Sequence, residues 1–295
     1  MFEIRCILSE VQADAVEAYG CELSGISPWT IRRDKPEDPN ILSGFFTDKE
    51  ALKRGWDALN AVVKDLPNNP ETHEIDDVDW KERYKDFLDV WEHKGLAWVP
   101  VWKKNVHSTT ERVRVLYDAG MAFGTGDHPT TQLCAMRLME FGNLNAADFH
   151  RLNIIDAGCG SGILAITAYK LGCQQVYGFD HDSEAIKVCH ENSRLNDIEE
   201  NAIEFKEVGI EEGLADRGAH FMMANIQSDV LCIYAENFAL AMEPRGTLVL
   251  SGILSKEKDE CEQRFQVAFE RLEKNIRSIT SRNRGDWADI CIHLG

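Results

Sequence analysis

The sequence predicts an α/β protein in two parts, a doubly wound parallel sheet preceded by a small α+β domain in ferredoxin-like order. Three observations carry this reading. Strand-like and helix-like segments alternate through the C-terminal two-thirds, the pattern of a sheet wrapped by helices. Within them, Asn153 to Ile166 (NIIDAGCGSGILAI) joins an apolar, β-branched strand to a helix through Gly158, Gly160 and Gly162, a strand–glycine turn–helix unit of the nucleotide-binding kind. The first 75 residues run close to β-α-β-β-α-β, the split-βαβ arrangement. The expected boundaries are residues 1–75 for the first domain, 76–92 for a linker helix and 93–295 for the second domain.

Composition limits the function classes. A chain of 295 residues is long for one core and fits two domains. No apolar run reaches membrane-spanning length, and MFEIRC lacks the basic and apolar regions of a signal peptide, so neither a membrane partner nor secretion is expected. The 9 cysteines are scattered without a C-x-x-C pair, which suggests neither a disulfide framework nor a zinc site and fits reduced thiols in the cytoplasm. Cys159, inside the glycine turn, reads as a small packing residue. The net charge of −18 disfavours direct binding to a nucleic-acid backbone and suits a basic protein partner or solubility alone. It is unevenly spread: Met1 to Val90 holds 11 lysines and arginines against 20 aspartates and glutamates, a net −9 and half of the total. A monomer is expected.

In order, Phe2 to Leu8 alternates as a strand, Gln12 to Tyr19 is a short helix, Gly20 to Ser27 a loop and Trp29 to Arg32 a strand. Asp34 to Asn40 (DKPEDPN) is a turn-rich loop. Ile41 to Phe46 is another strand. Thr47 or Asp48 can cap a helix running to about Lys64, with Leu52, Trp56, Leu59 and Val63 on one face. Pro67 to Pro70 follows, then a last strand over His73 to Ile75. Asp76 to Val90 is acidic, and Trp80, Tyr84, Phe87, Leu88 and Trp91 are spaced as one helical stripe. That helix either links the domains or packs on one core.

Leu96 to Trp102 and Arg112 to Leu116 read as strands joined by a polar turn. Met121 to Thr131 (MAFGTGDHPTT) then crowds glycines, hydroxyls and a histidine before a helix over Gln132 to Phe141, with Pro129 in its first turn. The stretch either offers hydroxyls and N–H groups to a ligand or caps the helix with its threonines. Ile154 and Ile155 form the central strand and Asp156 stands near its end. A dinucleotide fingerprint needs glycine at the sixth position of G-x-G-x-x-G, where this chain has Ile163. The pattern is instead D-x-G-x-G-x-G, which resembles the first motif of S-adenosylmethionine-dependent methyltransferases. An acid such as Asp156 near the turn suits a cationic sulfonium. Gln175 to Phe179 is the next strand, and Asp180 at its end lies about 20 residues past the turn, as ribose recognition requires. Asp182 and Ser183 cap the helix that follows. Strands are expected at Ile203 to Glu207, His220 to Ala224 (ending at Asn225), Thr247 to Leu250, Ser278 to Thr280 and Trp287 to Ile292. Helices are expected at Leu231 to Met242 and Glu257 to Glu273. An antiparallel strand at the late edge is expected.

FGTGDHPTT, DAGCGSGILAI, GFDHD, ANI and LSGIL, in that order and spacing, resemble the bacterial methyltransferases of the large-subunit ribosomal protein L11. The likeness covers the C-terminal two-thirds; the acidic segment with Trp80 also resembles that family's interdomain linker. It implies a Rossmann-like methyltransferase domain, S-adenosylmethionine as cofactor, no metal, and transfer to lysine side chains and the N-terminal amine of L11, which a ferredoxin-like domain recognises. It implies cofactor contacts at Thr131, Gly158, Asp180 and Asn225, with Asn225 also orienting the accepting nitrogen. Phe123, Thr125, Gly126, His128, Asp156, Gly160 and Gly162 complete the expected cofactor set. The chain departs from the family at Gln227 and His181, where apolar residues are usual, and in a shortened first helix. A related family modifies lysines of an electron-transfer flavoprotein, so a lysine on another protein is an alternative substrate. Two rival classes share the sheet type: a nicotinamide-dependent oxidoreductase and a non-catalytic binder. Ile163 disfavours the first, and the intact glycine turn with both acids disfavours the second.

Overall fold

The computed structural model describes residues 2–22, 29–32, 39–67, 70–74, 89–105, 111–118, 126 and 128–295. The chain divides into two compact units, Met1–Asp86 and Phe87–Gly295.

The first unit has β1 (Phe2–Leu8), α1 (Glu10–Glu22), β2 (Trp29–Arg32), β3 (Asn40–Phe46), α2 (Lys49–Val62) and β4 (Glu71–Glu74). The sheet order is β2-β3-β1-β4 with antiparallel pairing throughout, as the ferredoxin-like reading requires. Alternation along β1 sends Ile4, Cys6 and Leu8 into a core with Val16, Trp29, Leu42 and Leu59. Asp48 caps α2 by accepting from the Ala51 N–H at 2.7 Å, while Leu59 and Val63 are buried and Leu52 and Trp56 pack against that core. Two expectations need correction. The first helix is not short: it spans 13 residues, because Ser9 and Gln12 anchor its start and Gln12 Nε2 also reaches the Lys64 and Asp65 carbonyls beyond α2. Helix α2 ends at Val62, since Val63 turns to extended backbone. The aromatic stripe from Trp80 to Leu88 lies outside the described residues, as does most of the expected linker. Trp91 is not helical but opens a strand.

The second unit begins with a small sheet, β5 (Trp91–His93), β6 (Leu96–Pro100) and β7 (Val113–Tyr117). Lys94 and Gly95, both at positive φ, turn β5 into β6. The next pairing, β6 with β7, is parallel, which a simple turn between the two strands, expected from sequence, cannot join. After α3 (Pro129–Leu144) come β8 (Asn153–Ala157), α4 (Ile163–Lys170), β9 (Gln175–Asp180), α5 (Ser183–Leu195), β10 (Glu204–Glu207), α6 (Ile210–Leu214), β11 (Ala219–Asn225), α7 (Ser228–Ile233), α8 (Ala235–Leu240), β12 (Met242–Leu254), α9 (Lys258–Arg271), β13 (Ile276–Arg284) and β14 (Trp287–Leu294). The seven-stranded order is β10-β9-β8-β11-β12-β14-β13, parallel from β10 to β12. Alternate residues of the central strands serve opposite faces: Ile155, Met222 and Leu248 pack with Phe238 and Phe265, while Phe221 stacks on Phe141 of α3 at 4.6 Å. Winding reverses between β8 and β11, and ligands of such sheets bind at that switch point.

The expected single helix over Leu231 to Met242 is two short ones that meet at Tyr234, a bend that lets Leu231 and Phe238 share one core. Met242 belongs to β12. The antiparallel strand is not at the edge. β14 lies between β12 and β13, because WADICIHL is buried on nearly every residue and needs neighbours on both sides. The largely exposed β13 takes the edge. No described helix is long and apolar enough to cross a membrane.

Candidate active site

Every strand of the parallel half ends at the same rim, and the site is built there. The turn after β8 is held by its own amides: Gly158 N and Cys159 N both donate to the Phe179 carbonyl at 2.9 Å. Gly160 N donates to Asp180 Oδ2 at 3.0 Å and Asp182 N to Asp180 Oδ1 at 3.1 Å. A carboxylate offers about four acceptor positions, so about two remain for a diol, and the Asp180 side chain is only 12% exposed. His181 places Nδ1 3.3 Å from Asp180 Oδ1 with an exposed ring, a polar neighbour on the same carboxylate. Asp182 caps α5 through the Glu184 N–H at 2.9 Å, the structural role expected for it.

Two glycines fix the neighbouring strand end. Gly158 has φ +69, and a Cβ there would stand 2.6 Å from Ile226 Cγ2; Gly252 has φ +83, and a Cβ there would strike the Ile226 carbonyl. Only glycine tolerates both the backbone and the approach. Ile226 is therefore clamped from β8 and β12 on either side of β11, and Asn225 before it is held in place.

Asn225 is 7% exposed. Its Nδ2 donates to Thr131 Oγ1 at 3.1 Å, and its Oδ1 is buried without a hydrogen-bond partner among the described residues. The two threonines that end MAFGTGDHPTT have different partners. Thr130 serves the helix, with His128 as N-cap accepting from the Thr130 N–H at 3.4 Å and His128 Nδ1 2.6 Å from Thr130 Oγ1. Thr131 meets Asn225 instead. Gly126 is buried at φ +73 with its carbonyl bound by Gln132 Nε2 at 3.1 Å. The His128 ring meets Trp287 edge-on at 4.8 Å. Phe123 and Thr125 lie outside the described residues.

Asp156, expected in the cofactor set, has a protein partner of its own. It is buried and accepts from the Ala165 N–H in the first turn of α4 at 3.0 Å. Burial pushes its pKa up to about 8; the Ala165 bond opposes that rise and the nearby Asp180 charge adds to it. Its carboxyl faces the helix start, where a free N–H wants an acceptor, so it holds the turn's far wall. Cys159 is buried with its sulfur 3.6 Å from that of Cys189. That sulfur contact and burial push its thiol well above the ordinary value, which suits packing and not attack.

Sequence reasoning passed over three supports. Asn192 bridges the Ser161 carbonyl and the Asp118 N–H at 2.8 Å each. Asn196 bonds both the N–H and the carbonyl of Leu116. Ser251, within LSGIL, donates to the Thr130 carbonyl at 3.1 Å. The available signal was two asparagines at i,i+4, Asn192 in α5 and Asn196 at its C-cap, since buried amides need partners. Among the described residues no group of three or more His, Cys, Asp or Glu side chains is arranged to hold a metal.

The profile of the family described as "Ribosomal protein L11 methyltransferase (PrmA)" matches residues 6–294. The chain is 30% identical over 315 residues to the ribosomal protein L11 methyltransferase of Geotalea daltonii, covering 99% of this chain and 97% of that one. It is 35% identical over 198 residues to the protein of the same name from Shewanella piezotolerans, covering 67% and 64%. The crystal structure of ribosomal protein L11 methylase from Lactobacillus delbrueckii subsp. bulgaricus superposes with a TM-score of 0.57 at 28% identity, over 70% of this chain and 98% of that one. The chain thus belongs to the ribosomal protein L11 methyltransferase family, as a protein methyltransferase whose cofactor is S-adenosylmethionine.

Proposed function

We propose that this enzyme methylates lysine side chains and the N-terminal amine of ribosomal protein L11, with Asn225 orienting the accepting nitrogen and the acidic first unit reading the basic substrate. When bound, S-adenosylmethionine supplies an electrophilic methyl for in-line displacement. The chain supplies alignment. Asp180 has acceptor capacity left for the ribose diol, Gly158, Gly160 and Gly162 admit the ligand close to the backbone, and Gly126, His128 and Thr131 line the rim.

The observation that carries the reading is the orphaned Asn225 Oδ1. A buried acceptor without a partner costs about 1–3 kcal/mol, and an incoming amine N–H relieves that cost. Accepting one N–H fixes the direction of the nitrogen lone pair. A lysine ammonium, with a reference pKa of about 10.4, must lose a proton first, and desolvation at an apolar rim favours the neutral amine. Thr131 holds the other end of the carboxamide and so selects which atom faces the substrate.

The test is labelled methyl transfer onto purified L11. Asn225→Ala is expected to lower turnover by more than about tenfold, about 1.4 kcal/mol of transition-state stabilisation, while thermal unfolding moves little. A collapsed melting temperature, or unchanged turnover, sinks the role. A second reading, a lysine on another protein, is favoured by the exposed Gln227 directly after Asn225-Ile226; the same assay on whole-cell protein, resolved by size, separates the two. The scattered cysteines and acidic charge support a cytoplasmic monomer that does not bind nucleic acid directly.

A further inference from the structure

At the end of the second unit's sheet opposite the glycine turn lies a cavity of about 670 Å³ that the methyl-transfer chemistry does not use. It sits where β12 begins, β14 ends and β13 begins, beside the last turn of α3. Arg245, Arg277, Arg137 and His293 face it, with Phe141 and Leu294 supplying apolar wall.

The charges are not equivalent. Arg137 is committed to Asp289, with two bonds of 2.8 Å, Glu140, the acidic side chain on the lining, is held by Arg282 at 2.6 Å, and Gly295, also on the lining, accepts from the Arg245 backbone N–H at 3.3 Å. Neither Arg245 nor Arg277 has an acidic partner among the described residues. His293 is held below its ordinary pKa by burial first, then by the charges of Arg137 and Arg277. Its Nδ1 lies 3.1 Å from Thr247 Oγ1. In a chain of net charge −18, two uncommitted guanidiniums over a partly apolar cavity are a local reversal of sign. Guanidinium forks match phosphate in a bidentate way, and the volume falls in the range of organic ligand sites, well above that of a lone ion.

We propose that this cavity is a second ligand site, for a nucleotide-sized organic phosphate, with Arg245 and Arg277 on the phosphate and Phe141 beside the organic part. The site is separate from that of methyl transfer, so cofactor binding serves as an internal control.

The experiment titrates the full chain with uridine monophosphate, inorganic phosphate and uridine at constant ionic strength by calorimetry, while NMR follows the His293 ring. Uridine monophosphate is expected to bind saturably, phosphate more weakly and uridine not at all, and the anion should raise the His293 pKa. The double variant Arg245→Asn with Arg277→Ala should weaken uridine monophosphate by at least about tenfold, leaving S-adenosylmethionine affinity and melting temperature unchanged. Asparagine is chosen because Arg245 has φ +62, which asparagine accepts. The proposal is overturned by non-saturable nucleotide binding, by uridine binding as tightly as its phosphate, by equal binding to the double variant, or by binding that leaves His293 unmoved.

Discussion

In the first unit Arg54 and Glu50 stand 3.8 Å apart with side chains 71% and 90% exposed; in the second, Arg137 grips Asp289 at 2.8 Å with 7% and 0% exposed. An exposed pair is screened by salt and contributes little by itself, so the recognition proposed for the acidic first unit would rest on the sum of its charges. A buried pair depends on geometry, and so do other buried polar groups of the second unit, among them Asp156, Asn192, Asn196 and Asn225. Long-range attraction tolerates single changes; a buried network does not. The division of labour proposed above, recognition in one unit and alignment in the other, follows the same line.

The sharpest way to break this comparison is to remove one partner from each kind of pair. Arg137→Ala leaves Asp289 buried, with the Arg282 N–H at 2.8 Å as its remaining bond among the described residues, and should cost about 3–5 kcal/mol in denaturant unfolding. Glu50→Ala, breaking an i,i+4 surface pair, should cost no more than about 0.5 kcal/mol. Comparable costs would mean that burial does not separate the units.

A smaller effect tests Asp156. Its folded pKa of about 8 stands above the value of 3.8 for a free carboxyl. Between those pH values the unfolded chain has lost a proton that the folded chain keeps, so this group's contribution to stability falls as pH rises from about 4 to about 8 and is level outside that window. Asp156→Asn, which retains an acceptor for Ala165, should flatten that slope and gain most on the wild type near pH 8. An unchanged slope would show that Asp156 is ionised in the fold, as a counter-charge to the sulfonium would be.

The smallest effect concerns the first unit. Raising salt shortens the Debye length from about 10 Å at 0.1 M towards about 3 Å at 1 M. The kcat/KM on intact L11 should fall several-fold over that range, while that on a short lysine peptide with few charges changes little. An equal response from both substrates would move recognition out of the first unit's field.

Local steric and hydrogen-bonding rules wrote much of this protein into its sequence. The glycine turn, the caps at Asp48 and Asp182, Pro129 at the start of α3, the acid ending β9 and the ferredoxin-like order were all legible, because each depends on residues within a few positions of one another. Tertiary structure decided the rest. Thr131 meets Asn225 across 94 residues and Arg137 meets Asp289 across 152, separations that leave no periodic trace in the chain. The bond from the Ala165 N–H to Asp156 exists only once the helix it faces is in place. The parallel pairing of β6 with β7 and the interior place of β14 were set by which strands must be covered on both sides. The basic cavity exists only because α3, β12, β13 and β14 bring together arginines that, in sequence, are unremarkable surface charges. Sequence fixes what a residue can bond; only the closed fold fixes which partner is near enough and whether water is left to compete.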